Sequence, residues 1–153
     1  MCSSDLKIAQ SLEQMHAGNL EEIYYLLAYQ YKQSENHPKA YEYFRMSGIK
    51  ASINFANEES CKFYQEALES LNRMPETEEN KKRVIEISKL MHGPIFCLCY
   101  PEYSLEIFQK AERLSREIGD KKSLAAFIAH ISGYYATSGM PLEGIKYVEP
   151  RFY

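Results

Sequence analysis

Apolar residues recur along this chain with the period of an α-helix. In the segment that follows Asn19, for example, Ile23, Leu27 and Tyr31 are spaced four positions apart. Residues at this spacing lie on one face of a helix, where they can be buried together. No stretch alternates between apolar and polar residues with the period of two that is typical of strands. The pattern therefore predicts an all-α protein with about seven or eight helices.

Turn-forming residues divide the pattern into segments. Gly18 is expected to end the first helix in the left-handed conformation. Asn19 is expected to cap the second helix, with Glu22 reaching back to form a capping box. Pro38 suits the first position of the third helix, and Asn57 is expected to cap the fourth. The first four predicted helices cover about residues 5–16, 20–34, 38–56 and 57–73.

The second half of the chain carries similar signals. Thr77 is a candidate cap for the fifth helix, whose pattern continues to about residue 98. Gly93 and Pro94 lie inside that pattern, so we expect a kink or a break of one turn there. The sixth and seventh helices are expected at about residues 101–118 and 121–138, with Gly119 and Gly139 at their ends. Pro141 is expected to begin a short eighth helix.

The most regular part of the chain runs from Asn19 to Leu71. Large, medium and small residues recur there at the offsets by which one helix of a helix–turn–helix repeat packs on the next, in the order Tyr24-x2-Leu27-Ala28-x2-Tyr31 and then Ala40-x3-Phe44. This order resembles the tetratricopeptide pattern, with Tyr where Trp is usual and Ala where Gly is usual. Weaker matches start at Phe44, Ser88 and Ile128. They depart from the pattern at His92, Gly144 and residues 93–94.

The segments LAYQY, KAYEYF, ANEES-x3-FYQEALE and QKAERLSREIGD also resemble the tetratricopeptide region of large bacterial signalling proteins. Those proteins combine a nucleotide cyclase or kinase domain, an ATPase module and a C-terminal repeat array. The resemblance covers about residues 12–148. It implies an α-solenoid of antiparallel helix pairs with a right-handed superhelix. It further implies that residues 1–153 form one repeat domain, a fragment of a larger protein.

Composition narrows the classes of partner. The chain has 153 residues, 45% of them hydrophobic, which is enough for a buried core. Its net charge is −3, with basic and acidic residues interspersed, so we expect no nucleic-acid partner. It has no run of about 18 apolar residues and no signal-peptide pattern, so we expect no membrane association. Four cysteines do not form a disulfide framework in a chain of this size, and a reducing cytoplasm is the simplest setting.

Candidate partner-binding residues lie on the first helix of two matches. In a tetratricopeptide repeat this helix lines the concave surface, and the resemblance places Glu22, Tyr25, Tyr29, Lys32, Lys89 and Phe96 there. Tyr side chains flanked by charges could bind a peptide, because Tyr supplies a large contact area and a hydrogen bond while losing little side-chain entropy. The alternative is that the tyrosines pack against the preceding helix. The basic clamp of chaperone-binding repeats is not expected, because Glu22, Leu26, Glu86 and Leu90 occupy comparable positions.

Metal-capable side chains cluster at His92, Cys97 and Cys99. Zinc requires four ligands in a tetrahedron, and offsets of five and seven on one helix do not converge. We therefore expect no metal, no cofactor, no catalytic residues and no enzyme activity. The leading hypothesis is a protein–protein interaction module, in which a partner protein, a peptide or another domain of the same polypeptide is bound. The alternatives are a homodimer through the C-terminal helix, including Phe152 and Tyr153, and a metal- or thiol-dependent enzyme that uses His92, Cys97 and Cys99.

Overall fold

The computed structural model describes residues 3–149, and every regular element in that range is helical. The predicted all-α fold is confirmed. A 3-10 turn at Leu20–Ile23 separates α1 from α2. The eight α-helices are α1 (Ser3–Met15), α2 (Tyr24–Gln33), α3 (His37–Ile53), α4 (Asn57–Asn72), α5 (Glu78–Cys97), α6 (Tyr103–Glu117), α7 (Lys121–Thr137) and α8 (Pro141–Val148).

Helices that follow one another along the chain also pack on one another. These pairs are α1 with α2, α2 with α3, α3 with α4, α6 with α7 and α7 with α8. Because short turns join most of these helices, packed neighbours run antiparallel. The arrangement is consistent with an all-α helical repeat. The chain divides into two compact units, the first ending at Asn80 and the second beginning at Lys81.

The first unit contains a close approach between α3 and α4. A Cβ on Gly48 would lie 2.5 Å from the Tyr64 ring, so the ring occupies the space that a side chain would need. The Ser60 hydroxyl donates a hydrogen bond to the Gly48 carbonyl oxygen at 2.8 Å. Gly48, Ser60 and Tyr64 are all buried. They hold the small and large positions of the repeat match that starts at Phe44.

A charged network joins α1 to α2 and α3. The Glu13 carboxylate accepts hydrogen bonds from the hydroxyls of Tyr31, at 2.7 Å, and Tyr43. It also accepts one from the Lys39 ammonium group at 3.2 Å. Burial alone would raise the pKa of Glu13, but the three donors outweigh it and lower that pKa below its ordinary value of 4.5. The pKa values of both tyrosines are raised by burial and by the carboxylate.

Aromatic rings fill the second unit. Phe108 of α6 and Phe127 of α7 are fully buried, with ring centroids 6.1 Å apart. The hydroxyl of Tyr100 lies against Gly133, where a Cβ would be only 2.8 Å away. At the end of the unit, the Tyr147 hydroxyl of α8 donates to the buried Glu112 carboxylate of α6, which also accepts from Arg116 at 2.9 Å. This bond attaches α8 to the rest of its unit.

Several predicted helix boundaries are confirmed. Gly119 and Gly139 follow helix ends with φ of 74° and 76°, in the region that favours glycine. The Thr77 hydroxyl accepts from the Asn80 amide at 3.2 Å at the start of α5. Pro38 lies in the first turn of α3, one residue after the helix begins. At the start of α7, the Asp120 carboxylate accepts from the Ser123 amide at 3.0 Å.

Other boundary predictions are wrong. Gly18 does not have positive φ, and the capping box at Asn19 does not form. The amide of Asn19 donates instead to the His16 carbonyl at 2.8 Å, so it is not available to Glu22. Asn57 is the first residue of α4 and caps nothing, because Ala56 takes the N-cap position.

Predictions for the third and fifth helices also differ from the structure. The third helix ends at Ile53, three residues before the predicted end, and Phe55 turns the chain with φ of 60°. Of the kink or break expected at Gly93 and Pro94, the break is absent, since α5 continues through both residues to Cys97, and the kink stays a prediction. Glycine suits position 93, because Pro94 follows it and the proline ring would clash with the Cβ of a preceding residue in the helical conformation.

Candidate functional site

The exposed face of α2 carries three of the predicted partner-binding residues. Tyr25 and Tyr29 are 46% and 41% exposed, although most tyrosines of this unit are buried. The ring of Tyr29 packs edge-on against Phe44 of α3, with centroids 5.0 Å apart. This contact orients the tyrosine without covering it. The alternative prediction placed the tyrosines against the preceding helix, but the partner seen for Tyr29 belongs to the following one.

Lys32 links α2 to α4. Its ammonium group forms an ion pair and a hydrogen bond with the Glu66 carboxylate, and both side chains are partly exposed. Exposed pairs of this kind contribute little to the stability of a fold. The pair does, however, neutralise the positive charge of Lys32, which makes that residue a weak anchor for an acidic partner.

A cleft opens beside this face, at the beginning of α2. It is formed by the 3-10 turn and α2, the second half of α3 and the first turns of α4. The volume of the cleft is about 180 Å³. Binding sites for drug-sized molecules occupy roughly 300–1,000 Å³, so this cleft can accept one or two side chains rather than a whole cofactor. The lining residues are Glu21, Glu22, Tyr24, Tyr25, Ser47, Lys50, Ala51, Asn54, Ala56, Glu59 and Phe63.

The chemistry of the cleft is aromatic and acidic. Tyr24, Tyr25 and Phe63 supply ring surfaces. Glu22 and Glu59 supply exposed carboxylates from two different elements. Such a lining favours a ligand that combines apolar contact area with positive charge.

Lys50 is the one basic side chain in the lining. Its ammonium group donates to the Glu21 carbonyl oxygen at 2.9 Å. That bond ties the end of α3 to the 3-10 turn. It also keeps the ammonium group on a backbone oxygen rather than on a carboxylate, so it does not pair with the acidic side chains of the cleft.

The two remaining predicted residues lie on α5 in the second unit. Phe96 is 63% exposed, and its ring contacts those of His92 and Tyr100, with centroids 6.2 and 6.1 Å apart. The Lys89 ammonium group is 4.0 Å from the Asp120 carboxylate at the start of α7. Lys89 and Phe96 are seven positions apart, so they share one face of α5.

A pair of stacked histidines lies next to Phe96. The rings of His92 and His130 have centroids 3.6 Å apart and planes inclined by 15°. Burial lowers the pKa of His92, and its Nε2 lies 3.3 Å from the Tyr100 hydroxyl. Burial and then the charge of His92 lower the pKa of His130 to about 4. At neutral pH both rings are therefore uncharged, and each ring covers part of the other from water.

The structure gives different surroundings to the residues of the candidate metal or thiol site, His92, Cys97 and Cys99. Cys97 and Cys99 are exposed at the end of α5, whereas Cys61 is buried in the first unit as a small apolar side chain. Across residues 3–149, no three His, Cys, Asp or Glu side chains come together in a group that could hold a metal ion. His92 instead belongs to the aromatic packing of its unit.

Sequence reasoning named two of the lining residues, Glu22 and Tyr25, which the resemblance places on the concave surface of a repeat, but it did not predict a cleft. It missed Lys50 and Ser47 of α3, and Glu59 and Phe63 of α4, because they come from helices that were treated as packing elements. The only signal for them is a row of small residues on α3, which indicates close packing but not a cleft.

Comparison of the chain with models of protein families, with curated proteins and with solved structures found no match. Among the helices of the described part, none is both long enough and apolar enough to cross a membrane.

Proposed function

We propose that this protein is a protein–protein interaction module, and that it binds an extended segment of its partner along α2 and in the adjacent cleft. The observation that carries the proposal is the pair of exposed tyrosines, Tyr25 and Tyr29, beside a cleft sized for side chains. Exposed aromatic residues next to a pocket are the usual anchors of peptide recognition.

The arrangement suits binding rather than turnover. Tyr29 is oriented by Phe44, and Lys32 is held by Glu66, so neither side chain has to be ordered when a partner arrives. Ordering a flexible side chain at an interface costs about 0.5–1.5 kcal/mol, and a surface organised in advance avoids that loss.

Selection from a library of random dodecapeptides on the intact protein tests this proposal. We expect enriched peptides to bind in the micromolar range, and the substitution Tyr25→Ala to weaken binding about tenfold because it removes an aromatic anchor. Phe55→Asn is the matched control. Phe55 is an exposed aromatic residue of the same unit that does not line the cleft, and Asn tolerates its positive φ. If no peptide binds, the proposal is wrong.

The resemblance to bacterial signalling proteins supports a narrower version of the proposal. On this version the chain is the regulatory tetratricopeptide region of a cytoplasmic, multidomain ATPase or nucleotide cyclase, and the bound segment gates the activity of a neighbouring domain. Sequencing the genomic region on both sides of these residues tests it. A Gly-x4-Gly-Lys-Ser/Thr motif after a strand in the same reading frame is expected. A free-standing reading frame without such a motif would contradict it.

A second candidate function is self-assembly through α8. Leu142 and Ile145 are 68% and 54% exposed and lie on one face of that helix. Glu143 and Lys146 pair beside them at 3.0 Å. Two copies of α8 packed antiparallel would join the apolar faces and could exchange these charge pairs, as a two-fold interface requires.

Light scattering during chromatography distinguishes this candidate. We expect the wild-type protein to have twice the mass of one chain, and Leu142→Glu to have the mass of one chain. Leu26→Glu, which adds a charge at an exposed leucine of the first unit, is the control and should keep the wild-type mass. A single-chain mass for the wild-type protein would exclude the homodimer. Phe152 and Tyr153, which were also expected to take part, lie outside the described residues.

A further inference from the structure

The cleft beside α2 has features that restrict its occupant to one chemical class. Its lining includes the small residues Ser47, Ala51 and Ala56 and the rings of Tyr24 and Phe63. A volume of about 180 Å³ admits one long side chain. Rings and small apolar residues favour the methylene stem of such a side chain.

The charge of the cleft lining determines which charged group a bound side chain can carry. Glu21, Glu22 and Glu59 face one ammonium group, that of Lys50, and Lys50 donates to a backbone oxygen. None of the three carboxylates has an ion-pair partner among residues 3–149. The lining therefore carries an excess of negative charge, which attracts a cation and repels an acidic ligand.

These carboxylates also have a local role. Glu21 and Glu22 lie in the first turn of the 3-10 segment, and Glu58 and Glu59 in the first turn of α4, where acidic residues offset the partial positive charge of a helix start. Glu58 has this role and does not line the cleft. Glu59 has the same helical role and lines the cleft, so the two residues separate the local effect from the effect on a ligand.

We infer that the cleft receives a Lys or Arg side chain from a peptide segment of the partner. This deepens the proposed function and rests on it. The stem lies on the small residues of α3, and the head group reaches Glu22 and Glu59. A guanidinium group also stacks on aromatic rings and pairs with carboxylates in a bidentate manner, so Arg is preferred over Lys. Residues next to it in the peptide contact Tyr25 and Tyr29.

The peptides selected from the random library provide the test. We expect Lys and Arg to be enriched in them, and exchange of the enriched Arg for citrulline to weaken binding about tenfold. Removing one charge from an exposed pair weakens an interaction by about threefold, so Glu22→Gln with Glu59→Gln should also weaken binding about tenfold. Glu58→Gln is the matched control and should leave the dissociation constant unchanged. Raising the salt concentration should weaken binding to the wild-type protein more than to the double variant.

The outcomes separate this inference from the proposed function. Suppose that peptides bind and lose affinity for Tyr25→Ala, but are not enriched in Lys or Arg or are unaffected by the double Glu substitution. In that case the inference of a basic side chain in the cleft would be wrong, while the proposed interaction module would remain supported. If no peptide binds the wild-type protein, the proposed function fails, and this inference fails with it.

Discussion

Glu13 is the side chain through which α1 contacts the next two helices. It accepts hydrogen bonds from Tyr31, Tyr43 and Lys39, and its charge strengthens each of them. Because these donors lower its pKa, Glu13 stabilises the fold fully above pH 4.5. That contribution is lost as the pH falls through the lowered value in the folded state.

We predict that Glu13→Gln lowers the free energy of unfolding at pH 7 by about 1–2 kcal/mol, because a neutral amide replaces a carboxylate that serves three donors. Urea denaturation measures the change. Glu58→Gln, at an exposed site of the same unit, should change the free energy by less than about 0.5 kcal/mol. Equal stability of Glu13→Gln and the wild-type protein would show that the network does not hold α1.

The stacked histidines make the second unit sensitive to acid. The pKa of His130 is lowered from 6.5 to about 4 in the folded state, so the unfolded chain binds more protons between these values. Stability is therefore complete above about pH 6.5 and is lost as the pH falls. Protonating both rings would place two positive charges at a centroid distance of 3.6 Å.

We predict that lowering the pH from 7 to 5 destabilises the second unit by about 1–2 kcal/mol, allowing for partial solvent access. Hydrogen-exchange protection of the α7 amides, corrected for the intrinsic rates, measures this. His130→Phe should flatten the pH dependence, because Phe fits among the surrounding rings and does not titrate. His37→Gln, at the start of α3, is the control. An unchanged slope in His130→Phe would assign the acid sensitivity to other groups.

At the scale of elements, helix pairs in this protein depend on small residues at a few positions. Gly48 is such a position, because Tyr64 occupies the space of its missing side chain. Ala40 of the same helix is fully buried and holds a different small position, in the first repeat match. A larger side chain at either residue would force α3 away from the helix it packs on.

We predict that Gly48→Ala lowers the free energy of unfolding by about 1–3 kcal/mol, since the new methyl group would overlap the Tyr64 ring. Gly18→Ala is the control, because its Cβ position has open space and its φ is not positive. It should change the free energy of unfolding by less than about 1 kcal/mol. Thermal or urea unfolding of both variants gives the comparison. A stable Gly48→Ala would mean that the two helices can separate without loss.

At the scale of the whole molecule, the residues changed in these predictions belong to different compact units. Glu13 and Gly48 lie in the first unit, and the histidine pair lies in the second. Each substitution removes contacts that are made within its own unit, so we expect its largest effect there.

We therefore predict distinct hydrogen-exchange patterns at the level of the whole chain. Glu13→Gln should reduce protection in α1 to α3 and leave α6 to α8 nearly unchanged, whereas mild acid should do the reverse. Mass spectrometry of peptide fragments after exchange resolves the two regions. Equal loss of protection in both regions under either treatment would mean that the chain opens as one cooperative body.

The positions of most helices could be predicted from local signals. Thr77, Gly119 and Gly139 act within a few residues of a helix end, so the sequence around them is sufficient. The failures at Asn19 and Asn57 arose where a backbone donor found another partner or the helix began one residue earlier. Such choices depend on the geometry of the preceding turn, which residue type alone does not specify.

The candidate site was likewise only partly predictable from the local sequence. Tyr25 could be placed on the exposed face of α2 because helical periodicity shows which side of that helix is buried, whereas Glu22 lies in the 3-10 turn before it. Glu59 and Phe63 belong to α4, which packs closely on α3 at Gly48 and Ser60, and only the folded arrangement brings them to the cleft. The pairing of His92 with His130 likewise joins residues from two helices, and no local pattern indicates it.

The sequence by itself determined the fold class, the approximate helix boundaries and the exposed face of α2, because helical periodicity and capping act over a few residues. Tertiary structure decided where the helices approach closely, which side chains share the cleft and which titratable groups are buried together. Those features depend on distances between residues that are far apart in the chain. A charge or a ring gains its role only when packing brings its partner to it and excludes water.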